Sequence, residues 1–223
     1  MAVLLAAALA AWLGYEVAIW PDVAALAAAP PGATAFMRRY ERLRGRPARA
    51  IWAPYGAIAE TMKRAVLVAE DIDFFAHHGF AAGELEQALR EAIAERRFPR
   101  GASTITQQLA KNLWLSPART PRRKLREALL TRSLEKHLDK RRILEIYLNV
   151  VEFGDGTFGC EAASRHYFGK SAARLSAVEA ARLAAVLPRP SQWSPVGENR
   201  DFLAAVERIR RRMERADWLR RVI

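Results

Sequence analysis

The sequence predicts a mainly α fold: a helical body preceded by one transmembrane helix. Three observations predict it. From Ile58 onward, apolar residues recur at three- and four-residue spacing, the period of an amphipathic helix. Helix-start signatures punctuate those runs, at Thr120-Pro121 and Ser176-x-x-Glu179. The first twenty residues, MAVLLAAALAAWLGYEVAIW, are almost wholly apolar, and roughly 20 such residues cross a bilayer as a helix.

The amino-terminal run carries no charge before Glu16, the only charged residue in the twenty. Trp12, Tyr15 and Trp20 are amphipathic aromatics of the kind that settle at membrane interfaces. Residues 1–20 therefore read as the span, its last turn in the head-group layer. A cleaved leader needs a basic start, and no Lys or Arg precedes the run. A buried alanine-rich helix is the other alternative. Arg38, Arg39, Arg42, Arg44 and Arg46 follow. Positive loops normally stay inside, but these begin where that rule weakens. Pro21, Pro30, Pro31 and Gly32 break residues 21–34 into a linker or surface-skimming segment. The division read from the sequence is a span over 1–20, a linker or membrane-proximal segment over 21–49, and a body over 50–223.

The body has four amphipathic runs. Val66, Leu67 and Ala69 lead into Glu70. Leu85, Leu89 and Ile93 form the second, and Leu125, Leu129, Leu130 and Leu134 the third. Ile143, Ile146 and Tyr147 form the fourth. Ser103 is expected to cap a helix running to Leu115, stopped by Pro117. The capping box at Ser176 opens a helix to about Leu187, which Pro188 and Pro190 end. Strand-like alternation is scarce.

Of the 223 residues, about half are hydrophobic, enough for a sizeable core, and the net charge is +12. Such a chain favours polyanions: nucleic acid, anionic head groups or phosphorylated substrates. No zinc-finger, homeodomain or RNA-recognition signature supports nucleic acid. The single cysteine, Cys160, forms no internal disulfide and fixes no compartment.

Four segments hold more polar chemistry than a plain core needs. The first is Glu70-Asp71-Ile72-Asp73-Phe74-Phe75-Ala76-His77-His78-Gly79. Apolar and aromatic surroundings raise a carboxylate's pKa, which suits a general base; a solvated acidic helix end is the bland alternative. His77 and His78 are adjacent, so a helix does not turn both to one metal ion. The second segment runs from Gly101 to Asn112 through Ser103, Thr104, Gln107, Gln108 and Lys111. Free amides at a helix start attract phosphate, and Gln107–Lys111 and Gln108–Asn112 each lie one turn apart. The third is Arg122-Arg123-Lys124-Leu125-Arg126-Glu127. Arg123 and Lys124 share the helical face of Glu127, either as a phosphate site or as an ordinary surface ion pair. The fourth runs from Leu144 through Tyr147 and Asn149 into Glu152-Phe153-Gly154-Asp155-Gly156, with Arg165-His166-Tyr167-Phe168-Gly169 ending the next helix on a glycine cap.

In this order the four segments resemble glycosyltransferase family 51. The family's E-D-x-x-F-x-x-H-x-G motif is matched by Glu70, Asp71, Phe74, His77 and Gly79. Its G-[GA]-S-T-I-[TS]-Q-Q-x-x-K-N motif is matched from Gly101 to Asn112. Its R-K-x-x-E motif is matched by Arg123, Lys124 and Glu127. The later I-L-x-x-Y-L-N, E-F-G-D-G-x-F-G, Y-F-x-K and L-A-A-V-L-P-x-P runs match too, so the resemblance covers about residues 50–195. One departure is Ala81, where the family usually has an acid. Only about thirty residues follow Pro190, with no S-x-x-K or K-T-G run for a transpeptidase domain, which points to the monofunctional members.

The resemblance implies a lysozyme-like, two-lobed helical domain that polymerises lipid II into peptidoglycan. The anomeric carbon inverts and undecaprenyl pyrophosphate leaves. It implies Glu70 as base and Glu127 as its catalytic partner. It implies Asp71, Phe74, His77, Ser103, Thr104, Gln107, Gln108, Lys111, Asn112, Arg123 and Lys124 around the substrate. No cofactor is required, and Mg²⁺ is compatible as a helper. The partners implied are lipid II, the growing lipid-linked strand, the membrane and other wall-synthesis or division proteins, not nucleic acid. The placement implied is the bacterial inner membrane, body in the periplasm. A lysozyme-like hydrolase and a non-catalytic basic binding module are the rival readings.

Overall fold

The apolar periodicities become eight α-helices among the described residues of a computed structural model, which describes Met1, Gly14, Glu16 and residues 18–80, 103–118 and 120–223. In chain order they are α1 (Ala35–Arg44), α2 (Glu60–Glu70), α3 (Ile105–Trp114), α4 (Pro121–His137), α5 (Lys140–Val150), α6 (Cys160–Phe168), α7 (Ala177–Val186) and α8 (Arg200–Arg215). The only sheet among these residues pairs β1 (Arg49–Ala50) in parallel with β2 (Thr157–Phe158), Arg49 opposite Thr157.

Caps set most boundaries. Thr120 accepts the Arg123 N–H with Pro121 at the first helical position of α4. Ser176 and Glu179 close their reciprocal box on α7. Gly169 ends α6 in the left-handed conformation. The start of α3 differs from expectation. Thr104, not Ser103, is the N-cap, and Gln107 completes a capping box with it. A hydroxyl one residue later is the one aligned with the first free amides.

α2 lies at the centre. Residues Met62 through Val68 are all buried, because α7 and α8 cover it. Two of them are cations, and a buried cation is costly unless paired. Lys63, 7% exposed, rests its Nζ 3.9 Å over the Tyr55 ring. Arg64 donates to the Met213 carbonyl of α8 and pairs with Glu60 and Asp217. On the other side, α3 packs on α4 and α5, and one continuous apolar core joins both groups.

Two expectations are refined. Residues 21–34 are broken, as their prolines require, yet Val23, Leu26 and Thr34 are buried and Arg142 of α5 bonds the Leu26 and Ala29 carbonyls. Of the two readings of this stretch, linker or surface-skimming segment, its packing on the body is that of the second. On α4, Leu130 and Leu134 face the core, but Leu125 and Leu129 are exposed. The helix carries two apolar stripes, and only one faces α3.

Among the described residues no helix is long and apolar enough to cross a membrane. Most of the 1–20 span, the Leu85–Leu89–Ile93 run, Ala81 and Gly101 lie outside the described residues.

Candidate active site

Glu70 is the last residue of α2, and the chain leaves the helix at Asp71 with φ −166° and ψ 81°. That break sends two neighbouring carboxylates in different directions. Asp71 turns inward. Its Oδ2 accepts the Ile105 N–H at the start of α3 (3.0 Å), and both its oxygens lie 3.0 Å from Nε2 of His77. His77 Nδ1 accepts the Gly79 N–H (3.1 Å), and the Gly79 carbonyl accepts from the Thr104 hydroxyl (2.7 Å). The α2 end and the α3 start are thus stapled together. Only glycine fits at 79. Its φ is +89°, and a Cβ would stand 2.8 Å from Thr131 Cγ2.

The staple changes the role of the α3 N-terminus. Its first-turn amides were expected to await an anion. Ile105 N–H is taken by Asp71 and Gln107 N–H by Thr104. These two amides are therefore not free for an anion.

Glu70 is half-buried. Burial pushes its carboxyl above the usual range, against the pull of Gln108 and Lys111. Gln108 Nε2 donates to Glu70 Oε2 at 2.8 Å. The amide cannot turn over without loss, because its Oε1 accepts from the fully buried Tyr147 hydroxyl at 2.9 Å. The relay Tyr147–Gln108–Glu70 fixes one carboxylate oxygen, and the other has no hydrogen-bond partner among the described residues. Tyr147 was legible as a core residue of α5 but not as part of the site. Its hydroxyl, the one polar side-chain group in the run of Ile143, Ile146 and Tyr147, was the available signal.

One turn beyond Gln108, Lys111 is half-buried, and burial lowers its ammonium below the usual lysine value. Glu127 pulls that value back up, Arg123 and Lys124 push it down, and Glu70 raises it again. Lys111 therefore feels both acids. Glu127 is 3% exposed and takes charge-assisted hydrogen bonds from Arg123 Nη1 and Lys124 Nζ. The carboxylate is buried, while the cations reach the surface, the Lys124 side chain being 38% exposed. Two cations on one carboxylate leave net positive charge beside Lys111. Such fixed charge stabilises a developing anion.

The remaining expected site residues form the support. Phe74 is fully buried, edge-on to Phe75 and under Lys140 Nζ at 4.4 Å. Asn112 is buried and donates to the Gln108 carbonyl. Ser103 is exposed, and its carbonyl accepts a second bond from Gln108. Sequence reasoning missed Glu135, which accepts from Thr106 of α3 and Lys140 of α5 and ties three helices behind the site. No group of three or more His, Cys, Asp or Glu able to hold a metal occurs among the described residues.

Comparison with known proteins gives the chain a family. Residues 22–214 match the family described as Transglycosylase. A protein of Laribacter hongkongensis named biosynthetic peptidoglycan transglycosylase is 44% identical over 213 residues, 93% of each chain. One of the same name from Nitrosospira multiformis is 48% identical over 176 residues, 77% of this chain and 75% of its own. Another, from an Azoarcus species, is 44% identical over 218 residues, 96% of this chain and 94% of its own. The match spans nearly the whole body, and the residues that build the site fall inside it: the chain belongs to the transglycosylase family.

Proposed function

We propose that this chain polymerises lipid II into peptidoglycan strands, with Glu70 as the base. The observation that carries the proposal is a half-buried carboxylate held by Gln108 in the field of Lys111, which in turn feels Arg123 and Lys124. An inverting displacement needs a carboxylate on the face opposite the leaving group. The free oxygen of Glu70 takes the proton from the acceptor's 4-hydroxyl. The acceptor's 4-oxygen, relieved of that proton, attacks the donor's anomeric carbon. The bond from this carbon to the lipid pyrophosphate breaks, and the configuration inverts. Lys111, Arg123 and Lys124 receive the charge that develops on the pyrophosphate, and Glu127 orients the two cations of α4. Ser103 and Gln108 border the sugar; Asp71, Phe74, His77, Thr104, Gln107 and Asn112 hold these groups in place. Mg²⁺ is a compatible helper on the pyrophosphate.

The lysozyme-like, two-lobed description of the fold and residues 1–20 as a single span belong to the same proposal. So does a periplasmic body on the inner membrane. They share a reason: a substrate with a polyprenyl tail must be met at the bilayer surface. A basic body suits that surface. Partners among wall-synthesis or division proteins fit this placement.

Glu70→Gln is expected to lower polymerisation of labelled lipid II by about a thousandfold or more, in the range of a lost general base, with the far-ultraviolet circular dichroism unchanged. Polymer formed at the parent rate would refute the base. Shortening of finished strands, instead of polymer from lipid II, would favour the hydrolase reading.

A further inference from the structure

Glu16 is the lone charge in an otherwise apolar run of twenty residues. A carboxylate at such a place is costly unless it is paired, and its pairing marks function. Glu16 is paired twice. Its Oε1 accepts from both Nε (3.2 Å) and Nη2 of Arg122, and its Oε2 lies 3.0 Å from Arg126 Nη1. Arg126 Nη2 also donates to the Ile19 carbonyl at 3.3 Å. The two arginines are four residues apart, one above the other on α4. Glu16 and Ile19 are thus tied to one face of that helix across a full turn.

The same face carries the exposed leucines. Positions 122, 125, 126 and 129 follow the i, i+3, i+4, i+7 stripe of a helix. Leu125 is 56% and Leu129 50% exposed, and Ile19 and Trp20 are exposed beside the tether. Apolar side chains flanked by arginines suit a helix lying in a lipid interface, with leucines toward the acyl chains and guanidinium groups among the head groups. A second stripe of α4 holds Arg123, Glu127, Leu130 and Leu134 and faces the site and core.

We propose that Glu16 is a positioning residue. Its double ion pair clamps the membrane anchor to α4, and the Leu125–Leu129 face rests in the lipid surface. Lys111, Arg123 and Lys124 are thereby held at the depth where a lipid pyrophosphate lies. This rests on reading residues 1–20 as a span and the cations as a pyrophosphate site.

The test uses the full chain in vesicles containing anionic lipid, with a nitroxide spin label on Leu129→Cys. Cys160 is buried and its thiol is pushed up to about 12, so it stays unlabelled. Collision with oxygen and with a water-soluble nickel chelate reports depth. The label is expected to be lipid-accessible in the otherwise unaltered chain, and Glu16→Gln is expected to move it toward water. Arg122→Gln with Arg126→Gln should move it equally, and all three changes together no further, since they break one interaction. In the unlabelled chain, Glu16→Gln should raise KM for vesicle-embedded lipid II about tenfold with kcat nearly unchanged, and the difference should vanish in detergent micelles. A water-accessible Leu129 label in the starting chain overturns the clamp. So does Glu16→Gln that alters neither depth nor KM. A lipid-accessible label that Glu16→Gln releases, in a chain that makes no polymer, supports the clamp while removing the glycosyltransfer reading.

Discussion

Glu70 and Asp71 are neighbours in sequence with opposite fates, and the difference is one backbone break. Asp71 is consumed by the α3 amide and His77. Glu70 keeps one oxygen without a hydrogen-bond partner among the described residues, in a half-buried setting that raises its pKa. A group whose folded pKa is raised adds stability in its protonated form, below the unfolded pKa, and loses it as pH climbs through the folded value. At neutral pH ionised Glu70 is therefore a cost to the fold, so Glu70→Gln should melt at or above the parent temperature even as activity disappears. Tyr147→Phe tests the relay. Without the hydroxyl, Gln108 loses the partner that orients its amide toward Glu70. The expected result is about a tenfold loss of kcat, with the acid limb of the pH–rate profile moved to higher pH, because a bond favouring the ionised base is weakened. An unmoved acid limb would separate Tyr147 from Glu70.

At the scale of elements, the site is the junction of the α2 end with the α3 start, backed by α4 and α5. The junction is held by short-range polar contacts, not by apolar packing alone. Gly79 is its tightest point. Gly79→Ala forces a side chain into a left-handed conformation and against Thr131 on α4. We expect a loss of about 2–3 kcal/mol, in keeping with backbone strain plus overpacking. A urea midpoint shifted at constant slope would register it, and an unshifted midpoint would show that α4 yields.

Across the whole molecule, a net charge of +12 is spread over a body whose α4 presents leucines and arginines together. Binding of the full chain to vesicles should be stronger with anionic than with neutral lipid. That advantage should shrink about tenfold or more between roughly 0.1 M and 0.5 M salt, as the attraction of arginines to head groups is screened. Co-sedimentation measures it, and a salt-independent ratio would assign the affinity to apolar residues alone.

The sequence by itself determined the helices wherever apolar residues at helical spacing followed a cap, as at Thr120-Pro121 and Ser176–Glu179. Ordered motifs also marked the site's cast of residues, because that chemistry lies in local spacing. Spacing places Arg123 and Lys124 beside Glu127 on one helix, so their contact was legible too. It does not say which stripe of a helix meets the core, and so Leu125 and Leu129 turned out exposed. Nor does it say which of two adjacent acids a distant helix start will claim. Contacts between residues 34 to 106 positions apart decided that. They sent Asp71 to Ile105, placed Tyr147 behind Gln108 and Glu70, and brought Glu16 to Arg122. Such pairings arise from how helices pack, which tertiary structure alone sets.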